Sequence, residues 1–317
     1  MDAVPLTFVD SAVELFGKKT LDQMATEVRH PLWKNVLDLH HRKRIYYKVT
    51  FREIKDDINL FLTNEKGEHL PSSIVHTIRK KRRFARIVEI TAGQRWSSFW
   101  DYSLFFKGIE SFGEAETYKL LEDVAPFISQ SSCRFTANVD STYCTKVVLT
   151  PLFKRAYLKE ISILYCGQIA YDFLEDQIDN SPFLSYVDIT GPNWPQSSLG
   201  LLTKFCLKGR SVSAAVNCEH LVIDCSHVQD LLTHSKANRS LSFVLRCSQE
   251  MRDETELREL LNKAEVCKKH TALRDFLKKF TFVACGFVLQ GFTCKCGLLQ
   301  MNLNNKSTLS DMIKRIP

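Results

Sequence analysis

A strand–helix–strand alternation in the middle of the chain limits its fold more than any other feature. "LKEISILYC" begins at Leu158, with Leu158, Ile161 and Ile163 apolar and Cys166 closing the segment. "LSYVDITGPN" begins 26 residues later at Leu184, with Val187 and Ile189 at the same offsets and Asn193 one place late. Between them, "QIAYDFLEDQIDN" places Ile169, Phe173, Leu174 and Ile178 at helical spacing. Alternating apolar positions bury one face of a strand, and a helical stripe turns one face of a helix toward it. Such a pair leaves its ends open, so each unit needs a neighbour to stack on. The expectation is an α/β chain of strand–helix units.

The offsets fit Leu-x-x-Leu-x-Leu-x-x-Asn/Cys, the strand segment of a leucine-rich repeat, and the interval lies within the range of that class. The segment therefore resembles a leucine-rich-repeat-like solenoid over 151–317 with a C-terminal cap. Two weaker units follow. "CEHLVIDCS" places Cys218, Leu221, Ile223 and Ser226 at repeat offsets, and "SLSFVLRCS" does the same with Ser240, Phe243, Leu245 and Ser248. Helices are expected at 197–209, 228–235 and 253–266, strands within 276–292 and 294–303, and a terminal helix at 308–317. A non-repetitive α/β or α+β domain is the alternative. Upstream, 44–54 and 84–91 are rich in β-branched and aromatic residues and read as strands. Residues 58–70 read as a hairpin partner or a short helix and turn, and 115–128 as a helix.

The N-terminus is different. Asp10 or Ser11 can open a helix, since Ser11 and Glu14 have capping-box spacing. Phe8, Val9, Ala12, Val13 and Phe16 form its apolar face. Gly17 and Lys18-Lys19 make a turn, and Thr20 with Gln23 repeats the capping spacing before a second stripe of Leu21, Met24, Ala25 and Val28. Pro31 breaks or restarts the chain into a third segment carrying Leu32, Trp33, Val36 and Leu37. Three short helices in about 35 residues bury too little surface to be stable alone. Their apolar remainder needs a partner or the following domain. Three regions result: 1–42 helical, 43–150 mixed α/β, and 151–317 repeat-like.

The order Pro5, Phe8, Val9, Ala12, Val13, Phe16, then Leu21, Met24 and Trp33, resembles an F-box. "VPLTFVDSAVELF", "LWKNVLDLHHRKRIYY" and "FLEDQIDNSPFLSYVDITGPNWP" are also similar to a large nematode family grouped with F-box and F-box-associated proteins. The resemblance implies a non-catalytic substrate receptor of a cullin-type ubiquitin ligase. Pro5, Phe8, Val9, Val13, Phe16, Leu21, Met24 and Trp33 would dock on the cullin-linked adaptor protein, and the repeat region would hold an unknown target protein. In "GPNWPQ" two prolines stiffen a loop around Trp194, which becomes a target contact if it is exposed.

Other chemistry is thin. The 317 residues carry a net charge of +7, and the basic residues are spread along the chain except for the run "RKKRRFAR". Arg79, Lys80, Lys81, Arg82 and Arg83 form a solvated connector or, as the second reading of function, a nucleic-acid contact. Trp96, Phe99, Trp100 and Tyr102 read as core or a domain junction rather than a base-stacking platform. Gly-rich phosphate loops, G-x-S-x-G, H-E-x-x-H and kinase signatures do not occur, so the expectation is no enzyme and no cofactor. Cys294 and Cys296, with Cys285 upstream, lack the spacing of a zinc knuckle, so no metal is expected. His40-His41 reads as a solvated pair at a helix end, Asp176 with Asp179 as ordinary polar helix residues, and Cys218 with His220 as structural. Asp2, Asp10 and Glu14 interrupt any leader-like apolar run, no stretch suits a membrane span, and eleven cysteines at irregular spacing suit a reducing compartment, cytoplasmic or nuclear.

Overall fold

The computed structural model describes residues 5–54, 57–71, 74–93, 111–138, 141–208, 211–218, 220–221, 226–227, 229–230, 242–247, 287–293 and 299–305. The expected helices at 253–266 and 308–317, most of that at 228–235, the aromatic cluster around Trp100, and Cys285, Cys294 and Cys296 lie outside them. The chain divides into two compact units, Met1–Leu184 and Ser185–Pro317. It is α/β, opening with helices and continuing with mostly parallel strands. Among the described residues, no helix is long and apolar enough to cross a membrane.

In the first unit, α1 (Leu6–Glu14), α2 (Lys18–Glu27) and α3 (Pro31–Lys43) follow the three apolar stripes. Their starts differ from the capping-box reading. Pro5, extended at φ −62°, is the N-cap of α1, and its carbonyl accepts from the Phe8 and Val9 amides. Asp10 is therefore mid-helix. Gly17 is the N-cap of α2, which places Thr20 inside that helix. Pro31 restarts the chain, occupying the first turn of α3, where its missing N–H has no intrahelical partner to lose. Val9, Val13, Leu21, Val36 and Leu37 form the bundle core, with Phe16, Met24, Val28, Leu32 and Trp33 packed around it.

The sheet of this unit comprises β1 (Ile45–Ile54), β2 (Asp57–Asn64), β3 (His69–Leu70), β4 (Ala85–Ala92), β5 (Ser111–Phe112), β6 (Arg134–Ala137) and β7 (Glu160–Leu164). β1, β4, β6 and β7 are parallel and lie side by side in chain order, while β2 pairs antiparallel with β1, β3 and β5. Between the strands run α4 (Ile74–Lys80), α5 (Glu114–Val124) with a 3-10 turn at Ala125–Phe127, and α6 (Thr142–Leu152); α7 (Gln168–Asn180) follows β7. Val49, Ile90, Phe135 and Ile161 are aligned across the four parallel strands and are all buried. The Phe135 ring lies 6.4 Å from that of Phe173 on α7. Gln177 of α7, fully buried, accepts from the Leu158 amide at 2.9 Å and donates to the Ala156 carbonyl at 2.6 Å. Its amide thus supplies the pairing the chain lacks just before β7.

The second unit begins with β8 (Tyr186–Thr190) and α8 (Ser198–Cys206), both foreseen. The next strand is β9 (Ser211–Asn217), upstream of the expected 218–226. Cys218 lies just past its end, buried, with its thiol donating to the Ile189 carbonyl at 3.3 Å. β10 (Ser242–Cys247) falls in the fourth repeat-like segment, and β11 (Phe287–Thr293) and β12 (Leu299–Asn305) follow. β8, β9 and β10 are parallel neighbours in chain order, and β11 and β12 extend them antiparallel.

Gly93 ends β4 at φ +67°, and a Cβ there would sit 1.9 Å from that of Ser141. We expect Gly93→Ala to cost about 1–3 kcal/mol through strain and overpacking. An unchanged urea midpoint would contradict this account of the β4 turn.

Candidate docking surfaces

Helix α1 has two sides. Val9 and Val13 are fully buried in the bundle, whereas Phe8 is 59% and Leu15 64% exposed. Phe8 and Leu15 are seven residues apart, two helical turns, so they share a flank with half-buried Ala12 between them. Pro5 is exposed at the start of this flank, and Leu6, also exposed, lies around the helix from it. Large apolar side chains aligned in water form a rib of the kind that marks a contact site.

A buried polar network fixes the rib. Arg44, at the end of α3, is buried and donates to the Phe16 and Val13 carbonyls, each at 2.5 Å. The Phe16 carbonyl lies past the end of α1, and the Val13 carbonyl, which also accepts from the Phe16 amide at 3.0 Å, gains a second donor. Arg44 also lies 3.3 Å from His40 Nδ1, while His40 Nε2 is 2.8 Å from Asp10 Oδ1. Arg83 reaches the same Asp10 oxygen at 2.6 Å. Nδ1 faces a guanidinium, which can only donate, so the neutral tautomer fits: Nε2–H donates to Asp10 and Nδ1 accepts from Arg44. His40 is thus fully buried, in contrast to the expected solvated pair; its neighbour His41 is exposed beside Asp22.

The basic run contributes to this network. Arg79 is ion-paired with Asp123 and Arg83 with Asp10, and Arg83 also stacks over Phe84. Lys80, Lys81 and Arg82 are exposed.

A second surface is the polar face of the first unit's sheet. The strand register aligns Lys48, Glu89, Arg134 and Glu160 across β1, β4, β6 and β7. Lys48 pairs with Glu89 at 3.0 Å and Arg134 with Glu160 at 2.6 Å. Two residues further along, Thr50, Thr91, Thr136 and Ser162 form a half-buried hydroxyl row. Parallel sheets are ordinarily covered by apolar layers on both faces. Across these four strands one face is apolar and buried and the other carries charge and hydroxyl groups, whereas on neighbouring β2 that second face holds Phe61, aligned with Thr50 and buried. The signal for it was the polar half of each strand's alternation, which becomes a row only once the register is known.

The expected adaptor-docking residues divide. Val9, Val13 and Leu21 are core; Phe16, Met24 and Trp33 are half-buried against it; Pro5 and Phe8 are exposed. Leu15 was missed, although its spacing from Phe8 marks it. Trp194 is a correction: only 4% exposed, it donates from Nε1 to the Thr190 carbonyl at 2.8 Å and is not a surface contact. Gly191 at φ +89° and Asn193 at φ +69° shape the loop that tucks the indole in. Asp176, read as an ordinary helix residue, is buried and accepts from Asn180 at 2.8 Å. Burial pushes the Cys144 and Cys166 thiols up to about 11 and Cys206 to about 12, which leaves them protonated and weakly nucleophilic at neutral pH. Among the described residues no group of three or more His, Cys, Asp or Glu could hold a metal ion. No family model matches the chain, and neither a curated protein nor a solved structure does.

Burial lowers the His40 pKa below its ordinary 6.5, against the opposing hydrogen bond to Asp10. Burial would raise Asp10, but hydrogen bonds from His40 and Arg83 outweigh it and hold the carboxyl below its usual 3.8. Both groups bind protons less readily folded than unfolded, so acid destabilises the fold. The His40 contribution is complete above about pH 6.5 and declines as pH falls toward its folded value; that of Asp10 declines below about 3.8. His40→Gln, less stable at neutral pH, should show a flatter dependence below pH 6.5 in denaturant titrations. Parallel curves would show that His40 does not titrate in this window.

Proposed function

We propose that the chain is a non-catalytic protein-interaction adaptor, a substrate receptor of a cullin-type ubiquitin ligase. The rib on α1 docks on the cullin-linked adaptor protein, and the strand–helix body carries a target protein. The observation behind this reading is the exposed Phe8–Leu15 flank of a helix whose opposite side is fully packed. The F-box-like order of residues supports it from the sequence. Pro5, Phe8 and Leu15 are the contacts, while Val9, Val13 and Leu21 hold the bundle together. The parallel strands, neighbours in chain order within each unit, support a leucine-rich-repeat-like organisation of the body. The polar groups Asp10, His40 and Arg44 are engaged in holding α1, which fits a role without chemistry. Tethering a target beside a ligase works by raising its effective concentration.

Nucleic-acid binding through the basic run is the weaker reading, because Arg79 and Arg83 are already ion-paired within the fold. In calorimetric titration of the full chain with the cullin-linked adaptor, Phe8→Ala with Leu15→Ala should weaken binding about tenfold or more, as for interface hot spots. Thermal stability should barely change, because both side chains are largely exposed. A wild-type chain that does not bind the adaptor would refute the assignment, and salt-sensitive RNA binding in its place would favour the alternative.

A further inference from the structure

We propose that the polar face of the first unit's sheet is a self-association surface, on which a second copy of this chain docks about a twofold axis parallel to the strands. The charged row decides the partner. Across β1, β4, β6 and β7 it reads plus, minus, plus, minus: Lys48, Glu89, Arg134, Glu160. Rotation by a half-turn about an axis above the sheet, between β4 and β6, reverses this order. Lys48 then faces the other copy's Glu160, and Glu89 faces its Arg134. Every contact joins opposite charges, as a self-complementary twofold interface requires.

Spacing points the same way. Neighbouring strands are about 4.8 Å apart, so the charges recur at that interval. Same-face side chains of an extended peptide recur at about 6.7 Å, and neighbours on a helix at about 5–6 Å. Either would drift out of register after a few contacts, whereas a second copy carries the same interval. The same rotation sets the row of Thr50, Thr91, Thr136 and Ser162 against its own copy. Hydroxyls both donate and accept, so identical groups can pair across the axis. Packed sheets cross at about 30°, so alignment is best at the centre of the row. Lys159 also lies 3.9 Å from Glu160, which makes the outer end less simple. The specificity therefore rests on Glu89 and Arg134.

Sedimentation of the full chain at about 100 μM and about 0.05 M ionic strength should show a dimer that dissociates as salt is raised. Glu89→Arg sets two arginines against each other in a homodimer, and Arg134→Glu sets two glutamates against each other. Each variant alone should self-associate at least tenfold more weakly. An equimolar mixture of the two restores opposite charges at every position and should recover the dimer. Recovery also requires that both variants fold. If either fails to fold by circular dichroism, Lys48→Glu and Glu160→Lys form a complementary pair at the outer contacts, with the same pattern of loss and recovery expected at smaller amplitude. A wild-type monomer at this concentration would overturn the proposal and leave the face to another partner. Folded variants that dimerise like wild type, or a mixture that stays monomeric, would overturn it as well. The adaptor titration does not depend on any of these outcomes.

Discussion

The buried guanidinium of Arg44 is the interaction on which the N-terminal half depends. A helix end pressed into protein leaves carbonyls that water cannot reach, and leaving them unmet costs about 1–3 kcal/mol each. Arg44 meets that of Phe16 and adds a second donor to that of Val13, from a position immediately before β1. The residue that completes α1 is therefore also the one that begins the sheet. His40 and Asp10 extend the arrangement, and Arg83 closes it from the turn before β4. A bundle whose core rests on Val9, Val13, Leu21, Val36 and Leu37 is too small to stand by itself, and it does not have to. Its orientation is set by buried polar groups, which leaves one flank of α1 uncovered.

The sheet of the first unit divides its chemistry between two faces. On one, Val49, Ile90, Phe135 and Ile161 lie in the core with Phe173 beside them. On the other, charged and hydroxyl rows follow the strand register. Both come from the same period-two alternation. The apolar face drives folding, because burial there removes hydrocarbon from water. The polar face contributes little to stability, since exposed ion pairs are worth about 0–1 kcal/mol each. Its composition is therefore open to the demands of recognition.

How much of this was legible in the sequence depended on the range of the interactions. Local periodicity located α7, β7, β8 and α8, and of the two readings of 58–70 the hairpin partner of β1 is the one that β2 fulfils. β9 was missed because "SVSAAVN" is made of small residues with little alternation, and most of the repeat-like segment after it, 218–226, lies outside the described residues. α6 was hidden by Thr145, Val147, Val148 and Pro151, which are poor helix formers that burial overrides. Of the docking residues, periodicity found the right stripe but could not divide it into core and rib. The rows on the sheet needed inter-strand register, which no single strand encodes. Trp194 was misjudged because a stiff loop indicates shape and not which way an indole turns.

The bond between Asp10 and Arg83 joins groups 73 residues apart along the chain. On the ribosome, α1 is complete long before its partner exists. Until the turn ahead of β4 has been translated, Asp10 has no Arg83, and the bundle lacks part of what anchors it. The greasy flank of α1 is thus made well before a residue that helps to fix it in place. A nascent chain of this kind has a definite interval in which chaperones have reason to attend to its first helix.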